Sequence, residues 1–319
     1  MMGNNSLVIP AILKFCIDKS SYFKFKSQIM QNNKLILNFA PTGMIPTKNM
    51  TPHVPITVAE IVENIHQACE VGITMVHLHA RDQQTGIPTW KPDIYALMIE
   101  GIRKYTPELI VCVSTSGRTF TEFEKRGACL FLEDSHKPDM GSLTLSSLNF
   151  NKVASMNAPD MIVQLAREMT NRGIKPELEA FDAGMINFAH YLIKEKILNP
   201  PYYFNLILGN IACAQADLLH AGIMVRDLPD RSFWSFAGVG DTQLCMNSIA
   251  IAIGGGVRVG LEDNIWFDSK RTRLATNIDL IKRVHNIAKA NERDIMPAKE
   301  LRKYLGLKAG NGEYGVSYD

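Results

Sequence analysis

Two histidines lie two residues apart at the end of an apolar segment, Val76-His77-Leu78-His79. Residues two apart in a β-strand point to the same face, so both imidazoles should lie on one side, roughly 6.5–7 Å apart along the chain. Two neutral imidazoles in that arrangement can share one zinc ion. A pair of unrelated histidines packed in a loop is the alternative, and the position of the pair at the end of an apolar strand favours the metal site.

A third ligand can come from the polar run Glu262-Asp263-Asn264, which follows another apolar segment. Catalytic zinc sites use three protein ligands and keep a fourth position open. Glu262 can supply the carboxylate, which leaves Asp263 free for other chemistry. Taken alone, this run could equally be a solvated turn, so the prediction depends on the histidine pair.

An arginine lies inside the same segment, four residues before Glu262. By strand alternation Arg258 faces the same side as Glu262. A buried arginine needs an anionic partner, and Glu177 and Glu179 share one face of another predicted strand. Glu179 is nearer the strand end and is the better partner. An Arg–Glu pair that only fills the interior of the protein is the alternative.

Small hydroxyl residues and a glycine end two further segments. They suit a bound carboxylate, although ordinary turn chemistry explains them equally well. These residues are Ser114, Thr115, Ser116 and Gly117 at one strand end, and Ser142 and Thr144 in the next segment.

The elements that must position these groups alternate along the chain. Eight segments have the pattern of strands: 34–40, 73–79, 109–115, 141–145, 177–181, 202–208, 233–239 and 257–261. Helical spacing of apolar residues predicts helices at 57–71 (with Thr57 as N-cap), 92–104, 160–171, 184–197, 212–221, 242–253, 275–290 and 297–305. A longer loop, 118–138, precedes the fourth strand.

This alternation predicts one α/β domain, a single (β/α)8 TIM barrel over residues 33–319. Strands separated by helices pair in parallel. Eight such units without a dinucleotide-binding fingerprint favour a closed barrel over an open sheet. Residues 1–32 carry no clear period and are expected to be an N-terminal appendage. In such a barrel the active site lies at the carboxyl ends of the strands, where the polar residues above are found.

Composition excludes several classes of function. The formal net charge of +2, from 34 basic and 32 acidic residues, gives no electrostatic footprint for nucleic acid. No apolar run reaches the roughly 18 residues that span a bilayer. The apolar stretch 7–17 lacks the flanking features of a signal peptide. The six cysteines form no Cys-x-x-Cys pair, as expected for reduced thiols. We therefore expect a cytoplasmic protein that binds neither nucleic acid nor a membrane.

Several motifs together resemble the β-keto acid cleavage enzyme family, which includes the 3-keto-5-aminohexanoate cleavage enzymes. The resemblance covers about residues 34–307. It is carried by APTG (40–43), PITVAEI (55–61), HLHARD (77–82), VSTSGR (113–118), SLT and LNF (142–150), PELEAFD (176–182) and GGVRVGLEDN (255–264). HLHxRD together with VRVGLEDN is a highly specific combination.

The resemblance implies a zinc-dependent exchange in which a β-keto acid and acetyl-CoA give acetoacetate and a new acyl-CoA. It implies that His77, His79 and Glu262 hold the metal and that Asp263 is the general base, oriented by Arg258 and Glu179. It further implies that the substrate carboxylate binds at the hydroxyls of Ser114 and Ser142, next to Thr115 and Gly117. A homo-oligomer, a tetramer by resemblance, is also expected.

One departure from the family pattern concerns the substrate. Relatives that act on amino-bearing substrates have a carboxylate after the APTG segment, where this chain has Ile45. Isoleucine cannot pair with a cation, which predicts a β-keto acid without an amino group at that position. Residues 117–138 and Asp241 also differ from the common pattern and could reshape the mouth or the CoA entrance.

Two other hypotheses about the function remain open. A zinc-dependent barrel hydrolase or lyase that does not use CoA is the nearest alternative. A hydrolase of the amidohydrolase type would place His-x-His on the first strand and further histidines on the fifth and sixth strands, which this chain does not do. A non-catalytic scaffold would leave the complete ligand set idle.

Overall fold

A computed structural model of the protein describes residues 34–317, so the predicted appendage at 1–32 lies outside the described residues. Within this range the strands are β1 (Leu37–Phe39), β2 (Met75–Leu78), β3 (Ile110–Val113), β4 (Met140–Thr144), β5 (Leu148–Asn149), β6 (Ala154–Ser155), β7 (Lys175–Ala180), β8 (Tyr202–Leu208), β9 (Ser232–Gly238) and β10 (Gly256–Val259). The helices are α1 (Val58–Val71), α2 (Pro92–Arg103), α3 (Phe123–Arg126), α4 (Pro159–Asn171), α5 (Ala183–Lys194), α6 (Leu218–Arg226), α7 (Gln243–Ala252), α8 (Asn277–Ala290) and α9 (Ala298–Leu305).

Eight parallel strands close into a barrel in the order β1-β10-β9-β8-β7-β4-β3-β2, which confirms the predicted (β/α)8 fold. The strands are buried on both faces, as a barrel inside a ring of helices requires. Outward residues such as Val76 and Leu78 belong to the main apolar core. Helix α1 begins with Thr57 as its N-cap, and Glu60 completes a capping box.

A second apolar cluster occupies the other end of the barrel from the polar strand ends. Met75, Ile110 and Met140, at the amino ends of their strands, pack with Leu301 and Leu305 of helix α9. This helix is also held by Arg302, which binds the buried carboxylate of Asp139 over 2.8 and 2.9 Å. The amino end of the barrel is therefore closed by packed side chains, which leaves the carboxyl end for a ligand.

Two local predictions were wrong in their bounds. The helix predicted at 212–221 runs from Leu218 to Arg226. Asp217 accepts a hydrogen bond from the His220 N–H over 2.8 Å and so caps the helix later than predicted. The preceding turn is instead tied to the barrel by a hydrogen bond from the Ala214 N–H to the Phe181 carbonyl.

The segment 118–138, predicted as a loop, contains helix α3 and two short 3-10 helices, Ala128–Phe131 and Asp134–His136. The buried Arg126 holds this segment in a regular conformation. Its guanidinium donates to the carbonyls of Thr115 and Met156 and to the side chain of Asn157 over 2.7–2.9 Å. The small β5–β6 hairpin was not predicted. None of the helices between residues 34 and 317 is long and apolar enough to cross a membrane.

Candidate metal centre and active site

The three predicted metal ligands converge at the carboxyl end of the barrel. The Nε2 atoms of His77 and His79 lie 3.2 Å apart, and Nε2 of His79 lies 3.1 Å from Oε1 of Glu262. His77 lies within β2 and His79 directly after it, so strand alternation directs both rings the same way. Glu262 lies in the loop after β10. In the closed barrel β1 lies between β2 and β10, so the strand that precedes Glu262 is only one strand away from the strand of the histidines.

The donor set fits a zinc ion. Ligand atoms at about 2.0–2.1 Å from a tetrahedral zinc are about 3.3 Å from one another, close to the separations of 3.2 and 3.1 Å in the structure. The second oxygen of Glu262, Oε2, is buried and has no hydrogen-bond partner among residues 34–317. A buried carboxylate oxygen without a donor is costly, and a cation between the three side chains would satisfy this group.

Glu177 fixes the orientation of His77. Its Oε2 lies 2.5 Å from Nδ1 of His77, and its Oε1 accepts from the Asn38 amide over 2.8 Å. Burial raises the pKa of Glu177, but the charge of His77 outweighs this effect and lowers that pKa to about 2, while Glu177 in turn raises the pKa of His77 to about 9. Glu177 therefore only accepts, from Nδ1–H of His77, and Nε2 of His77, which would release its proton on binding a metal, faces His79 and Glu262.

Two glycines allow the Glu262 loop to reach this position. Gly260 has φ +154°, and a Cβ there would lie 2.0 Å from the Ala40 carbonyl oxygen. Gly43, in the APTG motif, has φ +63°, and a Cβ there would lie 2.5 Å from Cγ of Glu262. Both conformations are strained for residues other than glycine. Arg81 holds the APTG loop by donating to the Gly43 carbonyl over 2.8 Å.

Arg258 lies at the centre of three carboxylates and is 2% exposed. Its guanidinium donates to Glu262 over 2.6 Å, to Asp263 over 3.0 Å and to Glu179 over 3.2 Å. Glu179 also accepts from the hydroxyl of Thr144 over 2.7 Å. The structure thus brings Arg258 to Glu262, which the sequence placed on the same face, and to its expected partner Glu179, and it adds Thr144 to this group.

The two neighbouring carboxyl groups of the loop differ in acidity. Burial raises the pKa of Asp263 above its ordinary value, and Glu262 adds to this effect while Arg258 opposes it. For Glu262 burial acts in the same direction, but Arg258 and His79 hold its pKa well below the usual range. Glu262 is therefore the permanent anion, and Asp263 is the better proton acceptor of the pair.

A cavity of about 480 Å³ opens beside these groups, a size ordinary for a small-molecule site. Its polar inner wall includes His79, Ser114, Thr144, Glu179, Arg258, Glu262 and Asp263, and its apolar wall includes Met44, Ile45, Leu148, Phe150, Phe181 and Ile207. Lys152 and Arg271, both exposed, also line it.

The predicted carboxylate-binding residues are not all at this cavity. Ser114 lines it, whereas Ser142, Thr115 and Gly117 do not. Ser142 is buried behind the wall, where its hydroxyl and carbonyl accept hydrogen bonds from Thr115. Gly117 is packed so closely that a Cβ would lie 2.2 Å from the Met156 carbonyl oxygen. The hydroxyl of strand β4 that lines the cavity is that of Thr144, two residues beyond Ser142 on the same face.

Sequence reasoning missed three further residues of the site. Glu177 was considered only as a second partner for Arg258, Thr144 only as one of several hydroxyls, and Arg118 only as the end of a motif. Arg118 lines the cavity, and its Nε is buried without a partner among the described residues. The signal for Glu177 and Thr144 was their two-residue spacing from Glu179 and Ser142, which places each pair on one face.

In this (β/α)8 barrel, two histidines and a glutamate converge at the mouth beside an arginine-bound aspartate, an arrangement that could hold a metal ion and is typical of metal-dependent barrel enzymes. Comparison with known proteins gives the particular family. The model of the beta-keto acid cleavage enzyme family matches residues 34–307, and the chain belongs to this family. The family predicted from the motifs is confirmed.

Curated relatives match over most of their length. A 3-oxoadipate:acetyl-CoA acetyltransferase of Cupriavidus necator is 38% identical over 277 residues, which cover 85% of this chain and 94% of the relative. A 3-keto-5-aminohexanoate cleavage enzyme of Fusobacterium nucleatum is 35% identical, and the match covers 86% of this chain and 98% of the relative. A 3-dehydrocarnitine:acetyl-CoA trimethylamine transferase of Rhizobium meliloti is 28% identical, and the match covers 88% of this chain and 98% of the relative.

Among solved structures, ObcA in its apo form has a TM-score of 0.72 with 22% identity, over 80% of this chain and 66% of that chain. A ternary complex of ObcA with a C4-CoA adduct and oxalate has the same TM-score and identity, over 80% and 68%. At this identity the likeness supports the barrel fold alone.

Proposed function

We propose that the protein is a zinc-dependent β-keto acid:acetyl-CoA transferase, which converts a β-keto acid and acetyl-CoA into acetoacetate and a new acyl-CoA. The observation that carries the proposal is the convergence of His77, His79 and Glu262 beside Asp263, in a chain of the β-keto acid cleavage enzyme family. The acetyl-CoA co-substrate is named for several relatives that match over most of this chain.

His77, His79 and Glu262 would hold the zinc ion, with Glu177 orienting His77 behind it. When bound, zinc acts as a Lewis acid that makes the ketone more electrophilic and its neighbouring carbon more acidic. His79 and Glu262 line the cavity while His77 is buried beneath them. A substrate could therefore reach the metal from the cavity side only.

Asp263 would remove a proton from the carbon between the ketone and the carboxylate. Its raised pKa makes it a better base than an ordinary aspartate. Arg258 holds the carboxylate of Asp263 with its Nε and is itself held by Glu179. Arg258 and Glu179 therefore act as positioning residues, which fix the base relative to the metal.

Ser114 would donate its hydroxyl to the substrate carboxylate at the cavity wall. The contacts of Ser142, Thr115 and Gly117 support an indirect part, in which they shape the wall that presents Ser114. Thr144 offers a hydroxyl at the cavity, although in this structure it is engaged with Glu179.

The side chain of the substrate meets an uncharged wall at Ile45, which lines the cavity and is half exposed. A substrate cation would lose water there without gaining an anion. The proposed substrate is therefore a β-keto acid without an amino group near Ile45. Among the substrates named for the relatives, 3-oxoadipate meets this condition, whereas 3-keto-5-aminohexanoate does not.

The proposal is tested by acetoacetate release from purified protein supplied with a panel of β-keto acids, with and without acetyl-CoA, alongside its zinc content. We expect release that requires both acetyl-CoA and about one zinc per chain. Zinc without CoA-dependent release would overturn the transferase and favour a hydrolase or lyase. The predicted cytoplasmic location and homo-oligomeric state stay predictions, the latter to be measured by light scattering.

A further inference from the structure

Arg118 is a cation without an anionic partner inside the cavity. Its guanidinium makes no hydrogen bond or ion pair with any residue of the described range, 34–317, and its Nε is fully enclosed. Burial accordingly lowers the pKa of Arg118. Arg126, eight residues later, has all its groups engaged by protein acceptors. Because a buried charge is costly unless it is paired, Arg118 is suited to an anion brought by a ligand.

The guanidinium is held in place although it is unpaired. Its Cζ lies 3.5 Å from the centroid of the Phe150 ring, which packs edge-on against Phe181 with centroids 5.8 Å apart. Stacking on an aromatic face leaves the N–H edge of an arginine free to bind a carboxylate in bidentate fashion. The cation is thus oriented by the β5–β6 hairpin before any ligand binds.

The carboxylates of the metal centre do not take up this role. Glu262, Glu179 and Asp263 attract Arg118 over a distance, but all three accept hydrogen bonds from Arg258 instead. The cavity therefore has one arginine that organises the catalytic carboxylates and a second one that is available to the ligand.

We propose that Arg118 binds a second carboxylate at the far end of the β-keto acid, so that the substrate class is a β-keto dicarboxylic acid. This inference rests on the proposed function, in which Ser114 binds the first carboxylate. The residue at position 45 agrees with this inference. The cavity has an unpaired cation, Arg118, for a carboxylate, and has Ile45 where an amino-bearing substrate would require an anion. The first carboxylate leaves in acetoacetate, and the second remains on the new acyl-CoA.

The phosphates of CoA are the other source of anions at this site. They would be expected nearer the solvent, where Lys152 and Arg271 line the cavity with exposed side chains. Arg118 lies deeper, where it interacts electrostatically with the proposed metal ligand Glu262. The position of Arg118 therefore favours the keto acid over the nucleotide part of CoA.

The test compares 3-oxoadipate with 3-oxohexanoate, which has the same chain length but a methyl group in place of the distal carboxylate. We expect the wild type to prefer 3-oxoadipate, and the ratio of the two kcat/KM values to fall about 10- to 100-fold in Arg118→Gln, the loss expected for one charged hydrogen-bonded contact. Lys152→Gln, which removes an exposed charge from the same cavity, should leave this ratio within about twofold.

Three outcomes would overturn the proposal. The first is a wild type that prefers 3-oxohexanoate. The second is a parallel loss on both acids in Arg118→Gln, which would place the first carboxylate at Arg118. The third is a rise in KM for acetyl-CoA that disappears with acetyl-pantetheine, which would assign Arg118 to the CoA phosphates.

A binding measurement separates this inference from the proposed function. Calorimetry with adipate and hexanoate requires no turnover and should show tighter binding of adipate to the wild type, with the difference lost in Arg118→Gln. If adipate binds in this way but no β-keto acid releases acetoacetate, the transferase proposal falls and the dicarboxylate site stands. If turnover occurs but adipate and hexanoate bind equally well, the dicarboxylate site falls alone.

Discussion

The imidazole of His77 donates its Nδ1 proton to Glu177 over 2.5 Å, and both side chains are buried within the barrel. They belong to strands that are not neighbours, since β4 and β3 lie between β7 and β2 in the closed order. The contact therefore crosses the barrel interior. It means that the tautomer of a proposed metal ligand is set by a residue that lies outside the ligand set.

Replacing Glu177 tests this relationship. In Glu177→Gln the amide can donate to Nδ1 of His77, which would move the ring proton to Nε2, the proposed ligand atom. We expect zinc affinity to fall about 10- to 100-fold, the usual effect of losing such a partner, as measured by competition with a chelating dye. Glu179→Gln is the matched control, two residues away on the same strand. An unchanged zinc affinity in Glu177→Gln, with the fold intact, would contradict the proposed role.

Removing one proposed ligand should remove the metal. Glu262→Gln keeps the volume of the side chain but not its charge, so we expect zinc content to fall to a small fraction of the wild-type value. Acetoacetate release should fall with it. Chelation of the wild type should have the same effect and should be reversed by added zinc, which a damaged fold would not allow. Full zinc content in Glu262→Gln would show that the metal, if present, lies elsewhere.

Asp263 can be separated from the metal ligands by its phenotype. In Asp263→Asn the group that accepts the proton is lost, while His77, His79 and Glu262 remain. We expect kcat to fall by about 10²- to 10⁴-fold, the usual share of a general base, with zinc content unchanged. Exchange of the substrate's acidic C–H with deuterated water, followed by NMR, should slow in parallel. Exchange at the wild-type rate would show that another residue removes the proton.

The shared face of the proposed ligands could be predicted because it follows from strand periodicity, whereas the role of Asp263 as base was implied only by the family resemblance. His77 and His79 share a face because they are two residues apart, and Arg258 and Glu262 follow the same rule at the end of β10. The fold class followed from the number and alternation of the segments. None of these inferences requires knowledge of which strands face one another across the barrel.

The rest of the site depends on distances between strands and on loop conformations, which periodicity does not determine. The pairing of His77 with Glu177 arises only when the barrel closes. The difference between Arg118 and Arg126 arises from the fold of the 118–138 segment, which supplies acceptors to one arginine and an aromatic face to the other. Ser142 and Thr144 share a face, but only the depth of the cavity decides which hydroxyl a ligand meets.

Asp139 offers a prediction about stability rather than activity. Its fully buried carboxylate accepts hydrogen bonds from Arg302, from the Val111 N–H and from the Gly315 N–H. Asp139→Asn would leave the charge of Arg302 buried without compensation, so we expect the free energy of unfolding to fall by about 3–5 kcal/mol. The measurement is the midpoint of denaturant unfolding at constant slope. The exposed pair Lys125–Glu122 supplies the control, since Lys125→Gln should cost less than about 1 kcal/mol.

Ile45 offers the complementary test of specificity at the other side of the cavity. Ile45→Glu introduces an anion at a half-exposed position of the cavity wall, where it could pair with a substrate ammonium group and repel a distal carboxylate. We expect kcat/KM for 3-keto-5-aminohexanoate to rise about fivefold or more relative to 3-oxohexanoate, as one partly exposed charge pair of about 1 kcal/mol or more would produce. Ile45→Gln, which is polar but uncharged, should show a much smaller change. If both variants change the preference equally, polarity rather than charge at residue 45 governs the choice of substrate.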